Sequence, residues 1–216
     1  MKLFPSIASS NLLYIGDTLK KLESWPYLHI DIEDGNFIPN ITFGLKTIRA
    51  ICSELKDKYV HVHLMVTNPM DYLEELAKCN VNAVVTHIEA LEYPMQFLNK
   101  CKSLGMETGL SLNIKTAPEE TKVFWPLMDQ MLFMTSEPDN AGENLYEPAL
   151  ERVIDFASNM QEKLDIYVDG GLTKDSLYLL NKSGVNGAVL GRLVFQNEDP
   201  LKALENIKSG IDCKGD

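Results

Sequence analysis

The sequence predicts an α/β protein with a (β/α)8 TIM-barrel fold, formed as a single domain over residues 1–216. Short β-rich runs alternate with amphipathic runs along the whole chain, a rhythm typical of βα units around a parallel sheet. Eight such β-rich runs occur, which suits the small end of the TIM-barrel size range, whereas an open doubly wound sheet usually has about five or six strands. The sequence contains neither a G-x-G-x-x-G nor a Walker-type loop, so nucleotide binding has no support.

The predicted strands follow one another at regular spacing. In chain order they are 3–9, 27–33, 59–66, 83–89, 107–113, 130–136, 165–171 and 187–195. Helical patterns between them include IGDTLKKLE, LKTIRAICSELK, MDYLEELAKC, PMQFLNKCKSLG and EPALERVIDFASNM. A last helix, DPLKALENIKSG, follows the eighth strand, with Asp199 at a cap position and Pro200 in its first turn.

Composition excludes several classes of partner. The 216 residues carry a formal net charge of −11, which argues against nucleic acid or an anionic membrane surface, because both favour a basic face. No stretch approaches the roughly eighteen apolar residues of a membrane span, and Pro5 interrupts any secretory signal at the N-terminus. The four cysteines are widely spaced and form no C-x-x-C pair, so we expect reduced thiols in a cytoplasmic protein.

Several predicted strands carry side chains that bind metals or move protons near their C-terminal ends, where TIM barrels place functional residues. They are His29 and Asp31, His61 and His63, His87 and Glu89, and Asp169. A single strand histidine is more often a packed residue, and an aspartate before two glycines is often a turn former. Their coincidence at one end of inward-facing strands favours metal or proton chemistry, because burying them would otherwise be costly. A mixed set of imidazoles and carboxylates suits one divalent ion among Zn, Fe(II), Mn and Co.

The segment HIDIEDGNFIPNITFG (29–44) resembles the H-x-D-x-M-D-G-x-F-V-P-N-x-x-x-G signature of the ribulose-phosphate 3-epimerase family. The resemblance continues in order through PSIASSN (5–11), HLMVTNP (63–69), HIE (87–89), MTSEP (134–138), DGGLT (169–173) and the region of Gly191. It implies a metal-dependent epimerase that inverts C3 of a ketose phosphate: D-ribulose 5-phosphate, D-xylulose 5-phosphate or a related pentulose or hexulose phosphate. It also implies a homo-oligomer.

The resemblance assigns roles to individual residues. It implies that His29, Asp31, His63 and Asp169 hold the metal, and that Asp31 and Asp169 are also the acid/base pair, one on each face of the substrate carbon. The physics agrees, because inverting a centre beside a carbonyl requires a proton to leave one face and another to arrive at the opposite face. The implied substrate-binding residues are Ser6, Met65, Met134, Gly142, Gly170, Gly171, Gly191 and Arg192. His87 and Glu89 are expected to support the site from behind, with core packing or a structural hydrogen bond as the alternative, and Asn113 is given no catalytic role.

Three departures from the family pattern set this chain apart. Glu33 stands where the family has the methionine of M-D-G, so the apolar lid contains an acid unless Glu33 turns outward to a surface base. The family's P-G-F-G-G-Q phosphate loop is PDNAGE here, at residues 138–143. The family's Gly-Ser after the eighth strand is Gly191-Arg192. These changes resemble a divergent epimerase branch.

Arg192 leaves two interpretations of the substrate. It either grips a phosphate through its guanidinium, which we favour because strands seven and eight usually bind phosphate in barrels, or it pairs with Asp139 or Glu143 and leaves a site for a free polyol. An orotidylate decarboxylase-like activity is excluded, because Glu33 stands where the D-x-K-x-x-D array requires lysine. A non-catalytic, sugar-binding sensor barrel is the other alternative. An acid/base pair on two faces argues against it, because binding alone does not require one.

Overall fold

Eight parallel strands form one sheet in the order β1-β8-β7-β6-β5-β4-β3-β2 in the computed structural model, which describes residues 1–55, 57–137, 144–160 and 164–213. The strands are β1 (Lys2–Pro5), β2 (Tyr27–Glu33), β3 (Tyr59–Met65), β4 (Ala83–His87), β5 (Glu107–Leu112), β6 (Gln130–Met134), β7 (Asp165–Asp169) and β8 (Gly187–Leu190). A parallel bridge between Ser6 and His29 joins the two ends of the sheet. The predicted single-domain (β/α)8 barrel is therefore confirmed.

Helices connect successive strands on the outside of the barrel. The α-helices are α1 (Ile15–Lys21), α2 (Leu45–Glu54), α3 (Leu73–Lys78), α4 (Pro94–Ser103), α5 (Glu147–Asn159), α6 (Lys174–Lys182), α7 (Arg192–Phe195) and α8 (Pro200–Cys213). Five 3-10 helices span Ile7–Ser9, Leu12–Tyr14, Pro69–Tyr72, Ile88–Ala90 and Pro118–Leu127. The last of these stands after β5 in place of an α-helix, and Pro126 lies inside it. None of the helices in the described ranges is long and apolar enough to span a membrane.

The C-terminal ends of most strands come earlier than predicted. Only β2 has the predicted bounds, whereas the predicted strand 3–9 ends at Pro5 and the predicted strand 187–195 ends at Leu190. In the last case Gly191 precedes the short helix α7, with a ψ of −99° that ends the extended backbone. The residues after each strand thus form the rim of the barrel, where they surround a site.

A cluster of apolar side chains fills part of the barrel interior. Phe4, Val85, Leu132, Tyr167 and Val189 form this inner cluster, and Tyr27 and Tyr59 pack against it as the first residues of their strands. A larger apolar cluster lies between the outer face of the sheet and the helices. With one end of the barrel closed by aromatic rings, the polar inward-facing residues lie towards the opposite, C-terminal end.

Candidate active site

Four side chains from three strands converge inside the barrel. His29 and Asp31 are two residues apart on β2 and so face the same side, and Asp31 is in register with His63 on β3. Asp169 is the last residue of β7. Each of the four offers one ligand atom, and these atoms all lie within 4.8 Å of one another. The structure therefore brings together all four residues that the resemblance implies as metal ligands.

Asp31 is at the centre of this cluster. Its Oδ1 lies 3.0 Å from Nε2 of His29 and 3.5 Å from Nδ1 of His63. Nδ1 of His63 is also 4.0 Å from Oδ2 of Asp169, so the imidazole faces both carboxylates. Ser6 completes the arrangement, because its hydroxyl donates a hydrogen bond to Oδ2 of Asp31.

The cluster fits a divalent cation. Both ring nitrogens of His63 are buried, and neither has a hydrogen-bond partner within the part of the chain that the structure describes. An unpartnered buried imidazole is costly, and a cation at Nδ1 would satisfy it. Two imidazole nitrogens and two carboxylates are a donor set of the kind that divalent transition metals accept.

The two carboxylates differ in their affinity for protons. Burial by itself would raise the pKa of Asp31, but the charge and hydrogen bond of His29, together with the nearby imidazole of His63, outweigh it and lower the pKa. Burial and the negative charge of Asp31 raise the pKa of Asp169 to about 7. Burial lowers the pKa of His63 to about 4, against the opposing effect of Asp31. Without a cation, Asp31 therefore loses its proton more readily than Asp169, and such a difference suits an acid/base pair.

A cavity of about 430 Å³ opens onto the cluster from the C-terminal rim, large enough for a small ligand. Asp31 and Asp169 line it, together with seven of the eight predicted substrate-binding residues: Ser6, Met65, Met134, Gly170, Gly171, Gly191 and Arg192. Gly142, the eighth, lies outside the described residues. Met65 and Met134 are 4% and 3% exposed and supply apolar surface beside the carboxylates.

The loop after β7 requires glycine. Gly170 and Gly171 have φ values of +113° and +64°, which L side chains rarely adopt. A Cβ atom at Gly170 would collide with Ser136, and one at Gly171 would collide with the backbone of Asn144 and Leu145. The glycines therefore allow the loops after β6 and β7 to pack closely at the cavity wall.

Glu33 lines the cavity instead of turning outward to a base. It is half-buried, and its Oε2 accepts a hydrogen bond of 2.6 Å from Nδ2 of Asn40. No basic side chain among the described residues forms an ion pair with Glu33. Burial and the charge of Asp31 raise its pKa to about 7. This chain therefore has a polar, titratable wall where the family signature has methionine.

His87 and Glu89 lie behind His63. The rings of His87 and His63 stack with centroids 4.8 Å apart, and Nδ1 of His87 is 3.4 Å from Oε2 of Glu89. Glu89 also accepts hydrogen bonds from the hydroxyl of Thr116 and the backbone N–H of Asn113. This arrangement matches the supporting position expected for His87 and Glu89, and Asn113 contributes its backbone.

Some residues at the site were not predicted. Ser9, Asn40, Thr42, Ser136, Thr173 and Gln196 also line the cavity. Beneath the cluster, His61 lies between His29 and Gln130. Its Nδ1 is 2.9 Å from Nδ1 of His29, and its Nε2 is 2.9 Å from Oε1 of Gln130. The period-two pattern already placed His61 on the face of His63, and a glutamine opening a buried strand was a further signal. Their pairing across the barrel was not visible in the sequence.

Arg192 is the only basic residue that lines the cavity among the residues described. Its alternative partners, Asp139 and Glu143, lie in the stretch 138–143, outside the described residues. Both interpretations of Arg192 therefore stay open.

Comparisons with known proteins agree with this geometry. The model of the ribulose-phosphate 3 epimerase family matches residues 2–195. The chain is 33% identical over 221 residues to the cytoplasmic isoform of ribulose-phosphate 3-epimerase of Oryza sativa subsp. japonica, covering 98% of this chain and 94% of the relative. It is 30% identical over 214 residues to ribulose-phosphate 3-epimerase of Bacillus subtilis (strain 168), covering 96% and 98%.

A solved structure shows the same fold at much lower sequence identity. KGPDC from Streptococcus mutans, in complex with D-R5P, has a TM-score of 0.76 at 15% identity and covers 99% of this chain and 98% of its own. At that identity the similarity concerns the fold alone. Together with the match of the family model over almost the whole length, the sequence comparisons settle the classification: this chain belongs to the ribulose-phosphate 3-epimerase family.

Proposed function

We propose that this chain is a metal-dependent epimerase that inverts C3 of a ketose phosphate: D-ribulose 5-phosphate, D-xylulose 5-phosphate or a related pentulose or hexulose phosphate. One observation carries the proposal. Two carboxylates from different strands, Asp31 on β2 and Asp169 on β7, face a common buried centre with His29 and His63 at the floor of a cavity. The names of the relatives point to the same reaction.

The proposed proton transfers use the two carboxylates in turn. One of Asp31 and Asp169, in its ionised form, removes the proton from C3, and the electron pair of the C–H bond moves towards the carbonyl at C2 to give an enediolate. The other, in its protonated form, returns a proton to C3 from the opposite face, and the carbonyl forms again. After one turnover the first carboxylate holds the proton and the second is ionised, which is the state required for the reverse reaction. Exchange of protons with water resets the pair for another turnover in the same direction, so no net acid or base is consumed.

His29, Asp31, His63 and Asp169 would hold the cation. Zn, Fe(II), Mn and Co all suit two imidazoles and two carboxylates. When bound, a divalent cation supplies positive charge that stabilises the negative oxygens developed during proton removal. Ser6 would orient Asp31 through its hydrogen bond, while Met65 and Met134 would keep water away from the reacting carbon.

Arg192 is the proposed anchor for the phosphate. It lies at the rim beside Gly170, Gly171 and Gly191, in the loops after β7 and β8 that bind phosphate in many barrels. Its guanidinium can hold two phosphate oxygens at once. An unphosphorylated ketose is the second candidate, because Glu33 and Glu137 add to the negative charge of a cavity that already contains two aspartates.

The choice between the two substrate classes is tested by comparing kcat/KM for ketose phosphates and the corresponding free ketoses. Arg192→Met should raise KM for the phosphates and leave activity towards free ketoses unchanged. Lys174→Met is the matched control, because Lys174 is an exposed cation at the start of α6 that does not line the cavity. Equal kcat/KM values for phosphorylated and free ketoses in the unmodified protein would overturn phosphate recognition.

The assembly and location of the protein are further proposals. We expect the protein to be a homo-oligomer. We also expect it in the cytoplasm, the location that the name of the rice relative gives for that protein. Size-exclusion chromatography with light scattering would measure the oligomeric state of the purified chain.

A further inference from the structure

A chain of three buried polar side chains runs through the barrel below the proposed metal site. Oε1 of Gln130 lies 2.9 Å from Nε2 of His61, and Nδ1 of His61 lies 2.9 Å from Nδ1 of His29. Nε2 of His29, at the other edge of the ring, faces Asp31 at 3.0 Å. Gln130, His61 and His29 are all buried, so these contacts are shielded from water.

The chemistry of the three groups fixes which atom carries each proton. A carbonyl oxygen only accepts, so His61 donates from Nε2 to Oε1 of Gln130. A neutral imidazole has one N–H, so Nδ1 of His61 must accept, and His29 must donate from Nδ1. Nε2 is then the nitrogen of His29 that can lose its proton and ligate a cation, and it is the one that faces the cluster.

Aromatic rings pack around His61. The rings of Phe4 and Tyr167 lie 5.5 Å and 5.4 Å from its ring, centroid to centroid. Glycine at position 109 gives Gln130 its room, because a Cβ there would collide with the carbonyl and with Cγ of Gln130. His61 is therefore held between apolar rings with Gln130 on one side and His29 on the other.

The orientation of the Gln130 amide leaves a buried donor without a hydrogen bond, which costs stability. Nε2 of Gln130 is buried and has no hydrogen-bond partner within the described ranges. Turning the amide over would place a donor against His61, reverse both hydrogen bonds and leave the proton of His29 on Nε2, where it would block a cation. The observed orientation leaves one donor unsatisfied but keeps the ligand atom of His29 available.

We propose that His61 and Gln130 are positioning residues that set the tautomer of His29, so that its Nε2 is available to the divalent cation. The proposal rests on the metal site of the proposed function and adds to it two residues that do not touch the cation. Outer-shell partners of this kind typically change metal affinity by about 10- to 100-fold when they are removed.

The tautomers can be measured without turnover. In the metal-free protein labelled with 15N-histidine, NMR should show the proton of His61 on Nε2 and a proton on Nδ1 of His29. The opposite tautomer of His61, or a bare Nδ1 on His29, would overturn the proposal. Because this measurement uses the unmodified chain, it stands even if a variant fails to fold.

Two variants of nearly equal shape test the effect on metal binding. In His61→Asn, Oδ1 of the asparagine can take the place of Nδ1 and still accept from His29, whereas His61→Leu removes the acceptor. Affinity for Zn(II) and Co(II), measured by competition with a chromophoric chelator, should fall about 10- to 100-fold in His61→Leu and in Gln130→Leu, and only a few-fold in His61→Asn. Thr108→Val is the control, because it changes a buried hydroxyl on the neighbouring strand β5 that makes no hydrogen bond in the described structure.

The outcomes separate this proposal from the proposed function. Unchanged affinity in His61→Leu, or an equal loss in His61→Asn and His61→Leu, would overturn the tautomer role. Metal binding with the expected tautomers but no epimerisation would leave the role intact and contradict the proposed reaction. Epimerisation with the opposite tautomers would support the reaction and overturn the role. Absence of metal binding by the unmodified protein would contradict both.

Discussion

Ser6→Ala removes one hydrogen bond to the central carboxylate of the site and leaves every proposed metal ligand in place. The hydroxyl of Ser6 donates to Oδ2 of Asp31, and the two residues are 3% and 6% exposed, so water has little access to replace it. A hydrogen bond to a charged group contributes about 1.5–3 kcal/mol. Since about 1.4 kcal/mol corresponds to a tenfold change in rate, kcat/KM for the ketose phosphate should fall roughly 10- to 100-fold.

The assay is steady-state epimerisation by metal-loaded protein, with metal content measured in each sample. Ser10→Ala is the matched control, because Ser10 lies in the same turn but donates its hydrogen bond of 2.7 Å to the carbonyl of Ile7 and does not line the cavity. It should leave kcat/KM within about twofold, as expected for a neutral hydrogen bond away from the reacting atoms. A Ser6→Ala enzyme with full activity, or an equal loss in Ser10→Ala, would refute the positioning of Asp31 by Ser6.

Three further predictions follow from the same geometry. Asp31→Asn and Asp169→Asn should each lower the rate of epimerisation by about a thousandfold or more, because each removes one of two required proton carriers. NMR in D2O should show that each variant exchanges the C3 hydrogen of one epimer only. Exchange in both epimers would contradict the two-base scheme. Exhaustive chelation should abolish activity and added divalent metal should restore it, so a full rate in metal-free protein would exclude a catalytic ion. Three backbone N–H groups, including that of Thr67, outweigh burial and lower the pKa of Asp34 to about 2. The ionised Asp34 should therefore stabilise the fold above the usual aspartate pKa, and this contribution should be lost as the pH falls towards 2. In urea unfolding, Asp34→Ala should be less stable than the unmodified protein by about 1 kcal/mol after allowing for solvent screening, and this difference should shrink from pH 4 to pH 2. A constant difference would contradict this origin.

Periodicity predicted the bounds of a strand well where the alternating pattern of the strand differs clearly from the sequence on either side. The bounds of β2 were correct, because alternating polar and apolar residues run from Tyr27 to Glu33. The end of β8 was placed too late, because the apolar residues LVF continue the β-like composition into helix α7. Composition could not distinguish the end of β8 from the start of α7, because the change from strand to helix depends on the backbone conformation at Gly191.

The residues of the site were more predictable than the contacts between them. His29, Asp31, His63 and Asp169 were found from their positions at strand ends and from the family motif, and they do converge. The partnership of His61 with Gln130 joins residues 69 positions apart, which no short-range pattern reveals. The hydrogen bond between Asn40 and Glu33 depends on the path of the loop after β2, and no periodic sequence pattern predicts the path of a loop.

Transfer of hydrogen at C3 is the most direct test of the central claim. Metal-loaded protein would be incubated with D-ribulose 5-phosphate in D2O and followed by 1H and 13C NMR. The two carboxylates facing one centre predict that D-xylulose 5-phosphate appears and that deuterium enters C3 of the sugar phosphate. Binding of the sugar phosphate with neither a new epimer nor deuterium at C3, there or with other ketose phosphates, would contradict the account and indicate a sensor instead of an enzyme.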